Sequence, residues 1–475
     1  MTAPSCAFVI LGITGDLAAR KLLPALYQLH LQGELHPDTR IIGYGRSRLT
    51  DEELRARLTR HLPEGQLSRW PELASRISYQ QGSYDRLEDF RSLAATLDAI
   101  GLNRRVFYTS TPPSTYEDIL RGLSAAGLNE DGDGGWSRLV IEKPFGDDLE
   151  SAIELNNVLS AGFREDQTYR IDHYLGKETA QNVAALRFAN ALFEPTWNNR
   201  YIDHVQVTME ESVGVGGRGG FYEEAGVIRD VFQNHLLQRV ALVAMEPPAR
   251  YDARSVRNEK VKVFEALECT GADTAVFAQY GPGNGLKGYR EEEGVDPASN
   301  QATYAAVELS IANWRWQGVP FFVRTGKALG RKATEVVVQY KVPPHVPFSL
   351  DRPLGGDRLV LRLSPDEGIS INFNVKHPGQ ENHLERAHLD FSYSREFNAP
   401  NPDAYETLLL DVMEGDATLF MRSDEVEAQW RIVEPLLQAA AQVREPAAYA
   451  AGSNGPVEAY RLLESQGRSW HNPEE

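Results

Sequence analysis

The 475-residue chain is 42% hydrophobic and 24% charged, enough apolar side chain for a large core and unlike a disordered chain, a collagen-like repeat or a coiled coil. Sixty-seven acidic against 49 basic side chains give a formal charge of −18, a surface that repels polyanions and argues against nucleic acid as a partner. No run approaches the roughly 18 apolar residues of a membrane span, and Cys6 and Cys269 are too few for a disulfide framework or a zinc site, so no metal is expected and a reducing cytoplasm is.

The start, MTAPSCAFVILG, has no basic segment and runs directly into glycines, so it reads as a first strand rather than a signal peptide. AFVILG (7–12) is predicted as a buried strand and 16–33 as an amphipathic helix closing on Gly33. RIIGYG (40–45) is a second strand, and Thr50 with Glu53 has the spacing of a helix-opening capping box. RRVFYTS (104–110) and SRLVIEKP (137–144) continue an alternation that predicts a parallel sheet with helices on its faces. From about residue 200, DHVQVTMEE, ATEVVVQYK, RLVLRLS and GISINFNVK follow one another, interrupted by a long helical segment from Gly226 to Met245. The polar, glycine-rich loop 281–295 is expected at the surface. The expected architecture is a Rossmann-type α/β dinucleotide-binding domain (1–172) followed by an α+β domain with a large, mostly antiparallel sheet (173–475).

Gly12, Gly15 and Ala18 form a G-x-x-G-x-x-A pattern between the first strand and the first helix. Glycines there let backbone N–H groups approach a pyrophosphate at the helix N-terminus. Thr14 adds a hydroxyl donor, and Asp16 reads as the helix cap. NAD enzymes usually carry an acidic residue at the end of the second strand to hold the ribose 2′-hydroxyl. Gly45-Arg46-Ser47-Arg48 offers no carboxylate there. A guanidinium suits a 2′-phosphate, so NADP is favoured, with NAD as the weaker alternative.

Arg170 to Glu178 reads RIDHYLGKE. If helical, this segment sets His173 and Lys177 on one face with Tyr174 beside them, a combination suited to a dianionic phosphate. In the segment 226–245, Val227, Val231, Phe232 and Val240 mark an apolar face, while Asp230, Asn234 and Gln238 form a polar stripe. Asp230 and His235 would stand about 7.5 Å apart along an α-helix axis. Taken alone, the segment favours a satisfied, buried His235 over a catalytic one.

These residues carry a resemblance. The blocks GITGDLAARKLLPALYQL, IEKPFG, RIDHYLGKE, EESVGVGGRGGFYEEAGVIRDVFQNHLLQ, NWRWQGVPFFVRTGKAL and PDAYETLLLDVMEGD, in this order, resemble the glucose-6-phosphate dehydrogenase family over almost the whole chain. The resemblance implies oxidation of D-glucose 6-phosphate at C1 to 6-phosphoglucono-1,5-lactone, with hydride transfer to NADP, the first step of the oxidative pentose phosphate pathway. It implies that His235 is the general base and that Asp172 orients it. By the same route His173, Tyr174 and Lys177 hold the sugar phosphate, Glu211 and Asp230 bind hydroxyls, and Lys327 contacts the substrate. A second basic contact falls on Lys332, with Arg331 as its competitor. Lys143 lies between nicotinamide and sugar, and Lys143–Pro144 resembles the family's cis bond. Cofactor contacts fall on Gly12, Thr14, Gly15, Asp16, Leu17, Arg46 and Lys143, and a homodimer or homotetramer forms through the large sheet.

The chain departs from the family pattern at Glu223, where aspartate is common, at Phe277, and near 302, where a glutamate is missing. Competing readings are a dehydrogenase of an unphosphorylated sugar, one of another hexose 6-phosphate, and a non-catalytic NADP sensor. The first has no use for His173, Tyr174 and Lys177, and the last has none for Asp172 with His235.

Overall fold

Five consecutive buried residues, Ala7–Leu11, form β1 at the centre of a parallel sheet. It is completed by β2 (Arg40–Gly45), β3 (Ile77–Gln81), β4 (Arg104–Thr109), β5 (Trp136–Glu142) and β6 (Thr168–Ile171). This computed structural model describes residues 2–62, 65, 67–269, 274–348, 354–379, 383–397 and 402–472. The strand order β3-β2-β1-β4-β5-β6, with every pair parallel, is the Rossmann order expected from the alternating pattern. Successive connections run outward in opposite directions from β1 and β4, which leaves a crevice at the carboxyl ends of those two strands.

The first helix departs in detail from the expected continuous α-helix over 16–33. It opens at Asp16 and Leu17, widens to a π-helical turn over Ala18–Leu22, and returns to an α-helix over Leu23–Gln32, with Pro24 at the start of that stretch. Gly33 closes it with φ 77°, as expected. The capping box is formed: the Glu53 N–H donates to Thr50 Oγ1 at 3.2 Å, and the Thr50 N–H donates to Glu53 Oε2 at 2.8 Å.

The chain folds as two compact units, each discontinuous in sequence. The first comprises Met1–Glu178, Pro248–Asn258 and Pro402–Glu427; the second comprises Thr179–Pro247, Glu259–Asn401 and Ala428–Glu475. The helix Ala404–Glu414 belongs to the first because Leu408, Leu409, Val412 and Met413 share an apolar cluster with Leu22, Leu26 and Leu29. Burial of that stripe, rather than nearness in sequence, decides where the helix packs.

The second unit is built on β7 (Ile202–Glu210), β8 (Leu267–Glu268), β9 (Ala275–Gly281), β10 (Tyr304–Ile311), β11 (Phe321–Gly326), β12 (Ala333–Tyr340), β13 (Arg358–Ser364), β14 (Gly368–Lys376), β15 (Leu384–Ser392) and β16 (Ala447–Ala450). The order is β15-β14-β13-β12-β7-β11-β10-β9-β16, with β8 pairing to β10. Only β7–β11 and β9–β16 pair in parallel among the described residues, so the sheet is mostly antiparallel, as expected.

The expected single helix over 226–245 is broken. Gly226 adopts φ 61° and ψ 179°, and a Cβ there would lie 2.6 Å from the Gln301 side chain. Ile228–Leu236 then winds as a π-helix before Leu237–Ala244 becomes α-helical. Loop 281–295 is largely exposed, but Tyr289 within it is buried. Its hydroxyl donates to Glu223, which also accepts from Ser299 Oγ at 2.7 Å. The longer glutamate at 223 thus serves a buried network within this unit. Phe277 and Ala302 are buried too, so those departures bear on packing. Among the described residues no helix is long and apolar enough to cross a membrane.

Candidate active site

In the first unit the glycine loop lies across the carboxyl ends of β1, β2 and β4. Gly12 has φ 86°, and a Cβ would stand 2.3 Å from the Ser110 carbonyl oxygen, so side chains are excluded on two grounds. The Gly12 N–H donates to Tyr44 O and the Gly15 N–H to Gly12 O, both at 2.8 Å, which closes the turn. Thr14 and Leu17 are part-buried beside it. Asp16 does not cap the helix as expected. It is already the first helical residue, is exposed, and pairs with Arg20 at 2.6 Å, one helical turn on.

At the end of β2, Arg46 is exposed and lies 6.0 Å over the Tyr84 ring. Arg48 is exposed as well, and the strand end carries no carboxylate. The buried Ser110 Oγ, beside Gly12, makes no hydrogen bond among the described residues. A glycine turn opening a helix, an orphaned hydroxyl and a cationic strand end together suit the phosphates of a nicotinamide dinucleotide.

β5 delivers Glu142 and then Lys143, whose bond to Pro144 is cis, as the resemblance implies. Glu142 Oε1 accepts from the Tyr108 hydroxyl and, at 3.2 Å, from the Tyr405 hydroxyl. The residue as a whole is part-buried, but protein atoms enclose the carboxyl group itself. Loss of water pushes its pKa up to about 7. Tyr108, Tyr405 and the Lys143 charge pull against that, and the Asp172 charge adds to it.

β6 ends at Ile171 and passes to buried Asp172, whose Oδ1 accepts from the Tyr174 N–H at 2.9 Å. His173 to Lys177 form turns rather than the helix considered above. The Asp172 side chain and carbonyl satisfy the N–H groups of Tyr174 and Leu175, and this local capping holds the bend. The bend still gathers the three groups: the His173 and Tyr174 rings are 4.5 Å apart, and Lys177 Nζ lies 4.6 Å over the Tyr174 ring. The His173 ring is also parallel, within 8°, to that of Tyr405 at 6.2 Å.

In the second unit the parallel pair β7–β11 places two strand ends together. Glu211 follows β7 and Lys327 follows β11, and the Glu211 N–H donates to Gly326 O at 3.0 Å. Buried Lys327 donates to Glu211, lies 3.4 Å from Asp230 Oδ2, and sits 5.3 Å over the Tyr222 ring. Asp230 and His235 both lie in the π-helical stretch, so the axial spacing expected from α-helical geometry does not apply to them. His235 is buried; its N–H donates to Asn234 Oδ1 at 2.6 Å and its carbonyl accepts from Arg239 Nη1 at 2.5 Å. Arg331 is held in ion pairs with Glu210 at 2.8 Å and Glu335 at 2.9 Å, whereas Lys332 is exposed.

Sequence reading did not find Tyr222, Tyr405 or Glu142. Glu142 stood inside a quoted block, but nothing in its spacing marks an enclosed acid. Tyr405 reaches Glu142 from 263 positions away, so no local pattern reveals it.

A glycine turn at the point where a doubly wound sheet reverses is where dinucleotide-dependent oxidoreductases seat their cofactor, and the fold places the chain in that class. The model of the glucose-6-phosphate dehydrogenase NAD-binding domain matches residues 9–182, and that of the glucose-6-phosphate dehydrogenase C-terminal domain matches 184–471. The chain belongs to the glucose-6-phosphate dehydrogenase family. It is 41% identical to glucose-6-phosphate 1-dehydrogenase of Chlamydia pneumoniae, over 99% of this chain and 96% of that one. With the enzyme of the same name from Aggregatibacter actinomycetemcomitans it shares 43%, over 100% and 98%. A solved glucose-6-phosphate dehydrogenase in complex with its substrate glucose 6-phosphate superposes with a TM-score of 0.93 at 36% identity, covering 99% of this chain and all of that one.

Proposed function

We infer that the protein oxidises glucose 6-phosphate at C1 to the 1,5-lactone, with NADP as the preferred cofactor. Glu211 and Asp230 take sugar hydroxyls, and Lys327, already shared between them, supplies a third polar contact. His173, Tyr174 and Lys177 bind the phosphate dianion away from C1 and so orient the ring. Lys332 adds a charge that Arg331, committed to two glutamates, does not. His235 removes the proton of the C1 hydroxyl; imidazole suits the task because both of its states are accessible near neutral pH. Asp172 fixes the imidazole tautomer and stabilises the imidazolium that forms. A nicotinamide dinucleotide, when bound, would supply the hydride acceptor. Gly12, Thr14, Gly15, Asp16 and Leu17 would hold its phosphates, Arg46 would take the 2′-phosphate, and Lys143 would serve the nicotinamide end.

The observation that carries this reading is the Lys327 cluster. A buried ammonium balanced by two carboxylates, with a histidine five residues from one of them on a π-helix, is a hydroxyl-binding arrangement with a base at hand. The convergence of His173, Tyr174 and Lys177 favours a phosphorylated sugar over a free one. The test is nicotinamide absorbance with NADP or NAD and a panel of glucose 6-phosphate, other hexose 6-phosphates and free glucose. Fastest turnover of glucose 6-phosphate with NADP is expected; preference for free glucose would overturn the reading. We further propose a cytoplasmic homodimer or homotetramer assembled through the large sheet, to be checked by sedimentation.

A further inference from the structure

We infer that Glu142 is a positioning residue for the phosphate end of the site: its carboxyl, shared by Tyr108 and Tyr405, holds the Tyr405 ring against His173. The inference rests on the reading of His173 as a phosphate ligand.

Both phenols donate to the same oxygen, Oε1. Tyr405 has one O–H, and it is spent on Glu142. The Tyr405 backbone is pinned separately, its N–H donating to Asp403 Oδ1 at 3.0 Å in the capping box of Ala404–Glu414. The ring is thus fixed at both ends, and its flat face lies parallel to His173. Tyr108 on β4 anchors the same carboxyl oxygen. A third phenol, Tyr116, donates to the Glu142 carbonyl at 3.2 Å and fixes the strand end from which Lys143 leaves.

The charged or titratable groups around the carboxyl are Tyr108 on β4, Tyr116 on the helix Tyr116–Ala125, Tyr405 on Ala404–Glu414, Lys143 next in the chain, and Asp172 after β6. Ionisation of Glu142 sets a second negative charge near Asp172, which carries the His173 turn. Enclosure of the carboxyl keeps the proton on up to about pH 7. Below that, the Tyr405–His173 contact is held; above it, like-charge repulsion loosens the turn.

The test is KM for glucose 6-phosphate between about pH 6 and pH 8, bracketing the ionisation, in wild type, Glu142→Gln and Tyr405→Phe. The ionisation of the sugar phosphate is common to all three and cancels in ratios. The wild-type KM relative to that of Glu142→Gln is expected to rise about three- to tenfold across this range, since glutamine accepts the same bonds and never ionises. Tyr405→Phe is expected to raise KM for glucose 6-phosphate about fivefold while KM for NADP moves less than about twofold. A pH-independent ratio, or an unchanged KM in Tyr405→Phe, overturns the inference. Infrared difference spectra of the ligand-free protein give a second readout. A protonated-carboxyl band lost near pH 7 in wild type and missing from Glu142→Gln supports it; the same band in both overturns it. Wild type that fails to oxidise glucose 6-phosphate would refute the functional reading instead, and the infrared result would still decide where the Glu142 proton resides.

Discussion

Lys327 Nζ lies 3.4 Å from Asp230 Oδ2 while donating to Glu211, so one buried ammonium holds two carboxylates from different elements. Lys327→Met removes that charge and leaves both acids without it in a poorly hydrated place. Unbalanced buried charge costs about 3–5 kcal/mol when fully enclosed. Glu211 retains 25% exposure, so a loss of about 2 kcal/mol is the better expectation. KM for glucose 6-phosphate is expected to rise roughly tenfold to a hundredfold. Urea unfolding and steady-state kinetics on the same variant check both; unchanged stability would mean that water already solvates the pair.

His235→Asn keeps a polar group of similar size and removes the base. Turnover is expected to fall about 10²- to 10⁴-fold, with sugar-phosphate affinity within a few-fold of wild type. Calorimetric binding beside single-turnover rates separates the two effects. Turnover within about threefold of wild type would assign proton removal to another group.

Much of this molecule is legible in its sequence, and the reasons it is not fully so are specific. The β1–β6 alternation and the Thr50–Glu53 box depend on neighbours in the chain, and such local rules can be read directly. The π-turn at Ala18–Leu22, the break at Gly226 and the π-helix carrying Asp230 and His235 depend on tertiary packing, and an α-helical periodicity does not reveal them. The sequence leaves open whether His173–Lys177 is helical, and it is Asp172, accepting from the Tyr174 N–H, that bends the segment into turns. Long-range partners leave no local trace at all: Tyr405 meets Glu142 across 263 positions and Lys327 meets Glu211 across 116.

Arg46 ends β2 where an acidic residue would hold a ribose hydroxyl. Arg46→Ala is expected to weaken NADP binding about 10- to 100-fold, the worth of one charge-assisted hydrogen bond, and to leave NAD binding within about twofold. Titration of ligand-free protein with each dinucleotide, followed by fluorescence, measures both. Equal weakening of the two would move the 2′-phosphate contact elsewhere.

Thr50→Ala serves as a structural contrast. It deletes the side chain that accepts from Glu53 N–H at 3.2 Å and should cost about 1 kcal/mol. Kinetic constants are expected to stay within about twofold, because stability of the Asp51–Thr59 helix, rather than any ligand contact, is what changes. A selective rise in KM for NADP would show that this helix end also supports the glycine loop, to which Arg57 reaches by donating to Thr14 O at 2.8 Å.

The enclosed carboxyl of Glu142 makes a prediction about stability with a definite sign. Its pKa is raised from an ordinary 4.5 to about 7 in the folded protein. Between those values the folded state keeps a proton that the unfolded chain has released, so wild-type stability falls as pH rises through this window and levels off above about 7. Glutamine has no proton to lose, so the stability of Glu142→Gln relative to wild type should grow across the same window. The gain is at most about 3 kcal/mol, and less in proportion to the solvent that reaches this part-buried residue. Thermal unfolding of both proteins at about pH 5 and about pH 8 reads the difference. Parallel curves would mean that Glu142 is already ionised at the lower pH, and the two phenols would then be solvating a carboxylate instead of clasping an acid.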